Sequence, residues 1–279
     1  MAKVLIVGCG DLGGEIARLM ALSKHQVVGV RASAKSLGSD VQCIQADVTQ
    51  EKTLTPLESL KPEIIIYCVA ANAQTDESYN AHYVEGLRKV LATQVNNDAL
   101  LHVFFVSSTR VYGQKSDAIL DENTPAIPAD FGGKRLLEAE NLIKHLPCKA
   151  TSMRLSGIYG KGRLYLVNMA KDTDRWPQVN AWSNRVHRDD AANFIAFLCG
   201  KVMSNQTVSD CYIVTDDMPT QQYEVLTWLA KKQGIDTTHI KVPLVHGGKR
   251  LSNQRMRDTG FQLRYPNYQI GYNEVLNNV

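Results

Sequence analysis

The chain has 279 residues, of which 44% are hydrophobic, 21% charged and 7% aromatic, enough to bury a core in one large domain or two modest ones. Lys and Arg total 31 against 28 Asp and Glu, a net charge of +3 with no basic block, so a nucleic-acid or anionic-membrane partner has no electrostatic support. The six cysteines form no C-x-x-C pair and no Cys/His cluster of zinc-ligand spacing, and no apolar run approaches the ~20 residues that span a bilayer. The N-terminal apolar run Val4–Val7 is too short for a signal peptide, so a cytoplasmic protein without a metal site is expected.

Short runs rich in Val and Ile recur along the N-terminal half: Val4–Val7, Val27–Val30, Cys43–Gln45, Ile64–Val69, Val103–Val106 and Thr151–Leu155. Runs of this length without alternating polarity predict strands buried on both faces of a parallel sheet. Helical stripes separate them: Leu12, Ile16, Leu19 and Met20, then Val84, Leu87, Val90 and Leu91, then Leu136, Leu137 and Ile143. The alternation predicts an α/β fold over residues 1–157, a doubly wound parallel sheet of the Rossmann kind with right-handed crossovers. Beyond it, Gly157, Gly160 and Gly162 open an irregular stretch that runs to Arg185. A helix from Asp190 to Cys199, capped by Asp189 or Asp190, a strand Cys211–Val214 and a helix Gln222–Lys232 follow. Residues 158–279 thus read as a smaller substrate-binding lobe, with 186–200 packing back on the Rossmann core.

Gly8-Cys9-Gly10-Asp11-Leu12-Gly13 directly follows the first strand and opens the first helix. In that context Gly8 permits a tight turn, Gly10 lets backbone approach a pyrophosphate, and Gly13 lets helix and strand pack closely. The helix start at Asp11 and Leu12 then offers its N–H groups to the anion. An NAD site places a carboxylate about 20 residues past such a loop for the ribose hydroxyls. None occurs between Glu15 and Asp40; Arg31 follows the second strand instead, with Ser33 and Lys35 nearby. A guanidinium pairs bidentately with a 2′-phosphate, so NADP is expected over NAD.

Further segments resemble the extended short-chain dehydrogenase/reductase superfamily, specifically the NAD-dependent epimerase/dehydratase family. Asp47-Val48 looks like the third-strand pair that contacts adenine, and the segment ending in Ala70-Ala71 is similar to the fourth-strand stretch beneath the cofactor. Val106-Ser107-Ser108-Thr109-Arg110-Val111-Tyr112-Gly113 matches S-S-x-x-V-Y-G, where Ser108 falls on the catalytic serine or threonine. Arg154 to Gly160 and Val186 to Asp190 match two later signatures, L-R-x-x-x-V-Y-G and H-V-x-D. The resemblance implies a Ser-Tyr-Lys constellation with Y-x-x-x-K on the helix after the fifth strand.

No tyrosine occurs between Tyr112 and Tyr159. If Lys134 is the family lysine, Asp130 stands at the tyrosine position; if Ala139-Glu140 sets the register, both Tyr and Lys are gone. The helix motif N-V-x-G-T reads Tyr83-Val84-Glu85-Gly86-Leu87, so its asparagine is missing too. This pattern resembles the atypical branch of the superfamily, whose members keep the nucleotide fold and often lose catalytic residues. Ser108, Lys134 and Asp130 are therefore the catalytic candidates, with Tyr112, Tyr159 and His187 as other groups able to move a proton. Each of these has a plainer role open to it: a tyrosine packed under the sheet, or a histidine bonding a helix start. Two functions stay open. One is an NADP-dependent oxidoreductase, epimerase or dehydratase acting on a small polar, sugar-like substrate, with Arg163, Lys171, Arg175 and Arg185 as cations for an anionic group. The other is a nucleotide-binding sensor without turnover. The resemblance also implies a homodimer through the helices around Tyr79–Val95 and Lys134–His145.

Overall fold

Val4 to Val7 have no exposed surface, as a run of consecutive apolar residues demands of a strand covered on both faces. In the computed structural model, which describes residues 1–114 and 118–278, they lie in β1 (Lys3–Val7), a central strand of a seven-stranded sheet. The others are β2 (Gln26–Arg31), β3 (Val41–Gln45), β4 (Ile64–Tyr67), β5 (His102–Ser108), β6 (Lys149–Leu155) and β7 (Cys211–Val214). Their order is β7-β6-β5-β4-β1-β2-β3. β1 pairs parallel with β2 (Val4 opposite Val27) and with β4 (Val4 opposite Ile64), and β4 with β5 (Ile64 opposite His102). Ser152 N–H donates to the Asp210 carbonyl (2.8 Å) and Ser156 N–H to that of Val214 (3.1 Å), an equal advance that makes β6 and β7 parallel as well. Strand order reverses between β1 and β4, and a doubly wound sheet opens its ligand crevice at the carboxyl ends of such a pair.

Three expectations are corrected. β3 is not buried on both faces: it is the edge strand, and four of its five residues are not buried. Cys211–Val214 belongs to this sheet and not to a separate lobe, because a crossover returns the chain to the sheet edge. The helix expected from Asp190 starts at Arg188, which puts Asp189 and Asp190 inside its first turn.

Helix α1 (Asp11–Leu22) buries Leu12, Ile16 and Met20, three of its four predicted stripe residues. α2 (Asp76–Tyr79) runs through a π-helical turn, Asn80–Glu85, into α3 (Gly86–Ala92). α4 (Phe131–Lys144) buries Gly132, Gly133, Leu136, Ala139, Glu140 and Ile143 and exposes Lys134 and Glu138. Later come α5 (Tyr165–Ala170), α6 (Arg188–Met203) and α7 (Gln222–Lys232).

The described residues form two compact units. The first comprises Met1–Gln114, Pro125–Arg154 and Ala192–Tyr212, and the second takes the rest, so the division is not a single cut near residue 157. The second has its own apolar cluster, including Tyr159, Val167, Trp176, Leu226 and Tyr272. Among the described residues no helix is long and apolar enough to cross a membrane, and no group of His, Cys, Asp and Glu is placed to hold a metal ion.

A candidate dinucleotide site in the first unit

The turn from β1 to α1 is built on backbone contacts that exclude side chains. Gly8 has φ +96°, and a Cβ there would lie 2.5 Å from the Cys68 carbonyl oxygen. A Cβ on Gly13 would collide with the Gly8 carbonyl. Gly10 differs: it is exposed, and nothing lies within 4 Å of where its Cβ would be. It also caps α1 without a side-chain hydrogen bond, and Asp11 is the acidic residue of the first turn. An open approach to a helix N-terminus fits a diphosphate. Cys9 is buried beside it, and burial pushes its thiol up to about 12, so it acts as an apolar wedge.

Arg31 ends β2. Its Nε donates to Ser33 Oγ (3.1 Å), and its guanidinium has no carboxylate partner among the described residues. Asp47 Oδ1 accepts from the Thr49 N–H (2.9 Å) and Oγ1–H (2.8 Å), and these bonds hold its carboxyl below the usual range. Val48 is buried, Ala71 half-buried, and Ala70 exposed just past β4.

At the end of β5 the two serines point to opposite faces, as strand alternation requires. Ser107 is buried and donates to Glu140 Oε1 (2.6 Å). Ser108 is half-buried, and its Oγ accepts the Arg110 N–H (3.2 Å), which leaves its own hydroxyl proton to donate elsewhere. Glu140 also receives Arg154, through Nε (3.0 Å) and Nη2 (2.6 Å), and Arg154 donates in turn to the Tyr112 hydroxyl. Tyr112 is thus committed to a buried network and does not reach outward.

On α4 a tyrosine and lysine four apart, both facing inward as Glu140 does, would stand at 132 and 136; those positions hold glycine and leucine. Lys134 lies on the exposed face, lining shallow hollows with Leu137, Glu138 and Asn141. Asp130 caps α4 through the Gly133 N–H (2.8 Å) and takes both oxygens to Arg110 Nε (3.0 Å each). Burial raises its carboxyl, but the Gly133 amide and Arg110 outweigh that and hold it low, which disqualifies it as a strong base. The inward space at 132 is filled by Arg110: a Cβ on Gly132 would lie 2.5 Å from its Cζ. Arg110 Nη1 donates to Tyr79 Oη (2.8 Å) and Gln74 Oε1 (3.1 Å).

The remaining proton-moving candidates and all four candidate cations belong to the second unit. His187 Nδ1 accepts the Asp189 N–H (3.2 Å) at the start of α6, and burial keeps it below its usual pKa, so it takes the plainer role, bonding a helix start. Tyr159 is buried, its ring 4.3 Å from that of Tyr272, and burial raises its pKa far above the usual phenol range. Asp190 accepts the Arg264 (3.0 Å) and Tyr265 (2.8 Å) amides. Arg185 is buried and donates to Ser183 Oγ (2.6 Å), unlike the exposed Arg163, Lys171 and Arg175.

Sequence reasoning passed over one residue. Tyr67, at the end of β4, donates its hydroxyl to the His82 carbonyl, and a Cβ on Gly86 would lie 2.6 Å from the same oxygen. A side chain inserted into a helical ladder widens it, which accounts for the π-helical turn. That turn carries Tyr83, half-buried, its ring 5.1 Å from that of Tyr79, beside the Ala71 backbone amide. The available signal was Tyr83 itself, at the position where the N-V-x-G-T motif has asparagine.

The RmlD substrate binding domain family matches residues 2–257. A solved structure from Methylobacillus flagellatus, proposed to be an NAD-dependent epimerase/dehydratase, is 46% identical, with a TM-score of 0.91 over 99% of this chain and 98% of that one. Two more distant structures share the fold. One is dTDP-glucose 4,6-dehydratase from Bacillus anthracis in complex with NAD, 15% identical, TM-score 0.80, covering 99% and 96% of the two chains. The other is the Bordetella bronchiseptica enzyme WbmG in complex with NAD and UDP, 14% identical, TM-score 0.80, covering 99% and 94%. No curated protein matches. The chain belongs to the RmlD substrate binding domain family, within the NAD-dependent epimerase/dehydratases of the extended short-chain dehydrogenase/reductase superfamily.

Proposed function

We propose that this protein binds NADP(H) in preference to NAD(H) and acts in the cytoplasm as an oxidoreductase, epimerase or dehydratase on a hydroxyl or carbonyl of a sugar- or nucleotide-sugar-like substrate. The open approach at Gly10 carries the reading, since on that side the backbone at the start of α1 can be reached by a diphosphate. The NAD held by the Bacillus anthracis dehydratase and by WbmG supports a nicotinamide dinucleotide here. The choice of NADP rests on Arg31, whose guanidinium bonds Ser33 and no carboxylate among the described residues and matches a phosphate bidentately. When bound, the dinucleotide supplies or accepts hydride. The chain's own residues hold and orient: Asp11, Leu12 and Gly13 offer amides, Asp47-Val48 and Ala70-Ala71 line the coenzyme, and Ser108 donates its free proton to a substrate oxygen. The first unit serves the coenzyme and the second the substrate, and the helices around Tyr79–Val95 and Lys134–His145 join two copies, which sedimentation tests.

A second reading, dinucleotide binding without turnover, is favoured by Gly132 and Leu136 on the inward face of α4. Fluorescence titration with NADPH and NADH, on the unmodified protein and Arg31→Ala, tests the first reading. NADPH is expected to bind at least about tenfold tighter, a difference of about 1.4 kcal/mol, and the variant to lose that margin. Equal affinities in the unmodified protein sink the NADP assignment. Tight NADPH binding with no turnover of any carbonyl or nucleotide-sugar tested, by unmodified protein or Ser108→Ala, selects the second reading.

A further inference from the structure

The chemistry proposed above needs a group that gives up or takes a proton at the substrate oxygen, and α4 does not supply one. Gly132 and Leu136 occupy its inward positions, Arg110 fills the space at 132, and Asp130 is tied to Arg110 and the start of the helix. A phenol nevertheless stands at the same end of the sheet. Tyr83 projects from the π-helical turn that Tyr67 holds open at the end of β4. Its neighbours are Ala71, in the segment just past β4, and Tyr79, which itself bonds Arg110. β4 borders the point where strand order reverses, so this segment flanks the crevice in which a doubly wound sheet takes its ligand. π-Helical turns persist where a particular side chain must be aimed, since they break the regular ladder.

We propose that Tyr83 is the acid–base phenol of this site, replacing from the helix after β4 the tyrosine that α4 lacks; the proposal rests on the dinucleotide-dependent reading above. In the reducing direction the Tyr83 hydroxyl gives its proton to the substrate carbonyl oxygen while the carbonyl carbon takes hydride from a reduced nicotinamide dinucleotide. The C=O π bond breaks, C–H and O–H bonds form, and the phenolate recovers a proton from water; the oxidising direction reverses each step. Burial raises the Tyr83 phenol, whereas the Ala71 amide and, more weakly, Arg110 lower it. The resting group is therefore a proton donor, and Arg110 is the cation nearest to the role a lysine takes beside such a phenol.

The test uses the full chain labelled with ¹³Cζ-tyrosine, with Tyr83→Phe identifying the signal. Dinucleotide affinity should be the same in both proteins within about twofold, because the hydroxyl does not hold the diphosphate. The Tyr83 signal should move on saturation with NADP⁺, and its pKa there should lie about one unit or more below that in the NADPH complex, since a cationic ring nearby favours phenolate. Should Tyr83→Phe fail to fold, 3-fluorotyrosine at position 83 reports the same titration with the hydroxyl kept. A Tyr83 signal and pKa identical in the two complexes overturn the proposal and leave the dinucleotide reading standing. Failure of the unmodified protein to bind either dinucleotide overturns both. On any carbonyl substrate found, Tyr83→Phe should lower kcat by about 10²–10⁴-fold, and a loss below about tenfold would count against it.

Discussion

Gly8 and Gly10 stand two residues apart and answer to different constraints. Gly8 is needed by the protein: its φ is +96° and a Cβ there would lie 2.5 Å from the Cys68 carbonyl. On the proposed reading Gly10 answers to the ligand, because its φ of −79° lies outside the left-handed region and nothing lies within 4 Å of its Cβ direction. Gly10→Ala should therefore leave stability within about 0.5 kcal/mol by urea denaturation, as for an exposed substitution. It should weaken NADPH binding at least about tenfold by calorimetry. Gly8→Ala should lose at least about 1–2 kcal/mol of stability before any ligand is added. Equal effects of the two on stability would show that Gly10 is also structural. On the proposed reading Arg31 is of the same kind, since among the described residues its guanidinium bonds Ser33 and no carboxylate.

At the scale of elements, α4 shows how a helix can keep the fold while giving up a reactive face. Its inward row retains one ionised residue, Glu140, clamped by Arg154 of β6 and by Ser107 of β5 with no exposed surface. Three elements are joined by that carboxylate, and the network also fixes Tyr112. Breaking a buried pair from one side leaves a desolvated charge behind, so Glu140→Gln should cost about 3–5 kcal/mol in urea denaturation. A cost below about 1 kcal/mol would mean that water or another group compensates Arg154. The π-helical turn before α3 works differently: Tyr67 pushes into the helix, Gly86 makes room, and Tyr83 is turned toward Ala71 as a result. None of that follows from the apolar stripe of Val84, Leu87 and Val90, which predicts an ordinary helix.

Across the whole molecule, buried titratable groups pull in opposite directions with pH: burial raises Asp216 to about 7, so its contribution grows toward acid, while that of His102 is lost. His102 is buried in β5, its Nε2 against Thr151 Oγ1 (2.9 Å), and burial brings its pKa down to about 4 from 6.5. Above pH 6.5 it is neutral in folded and unfolded chains alike, so its contribution is complete. As the pH falls from 6.5 through 4 the unfolded chain takes up a proton that the folded one refuses, and stability is lost, by about 2 kcal/mol at pH 5. His25 and His187, both lowered by burial, act with the same sign. Urea denaturation at pH 7.5 and pH 5.0 checks this: on acidification His102→Phe should lose about 2 kcal/mol less than the unmodified protein, and an equal change in the two proteins would show that His102 does not contribute. The doubly wound sheet and the glycine loop were legible in the sequence, because strand burial and a tight strand-to-helix turn are written in local residue choice. The edge position of β3 and the return of Cys211–Val214 to the sheet were not legible, since pairing partners lie far apart along the chain. The two registers open for α4 were equally compatible with its residues until packing turned Glu140 inward and Lys134 outward. Local sequence thus determined by itself which segments form strands and where the tight glycine turn from β1 into α1 falls. Only tertiary structure decided which side chains face the crevice, because a helix rotates its whole row of residues to bury its apolar stripe, and that rotation put Arg110 where a phenol was expected and Tyr83 beside Ala71.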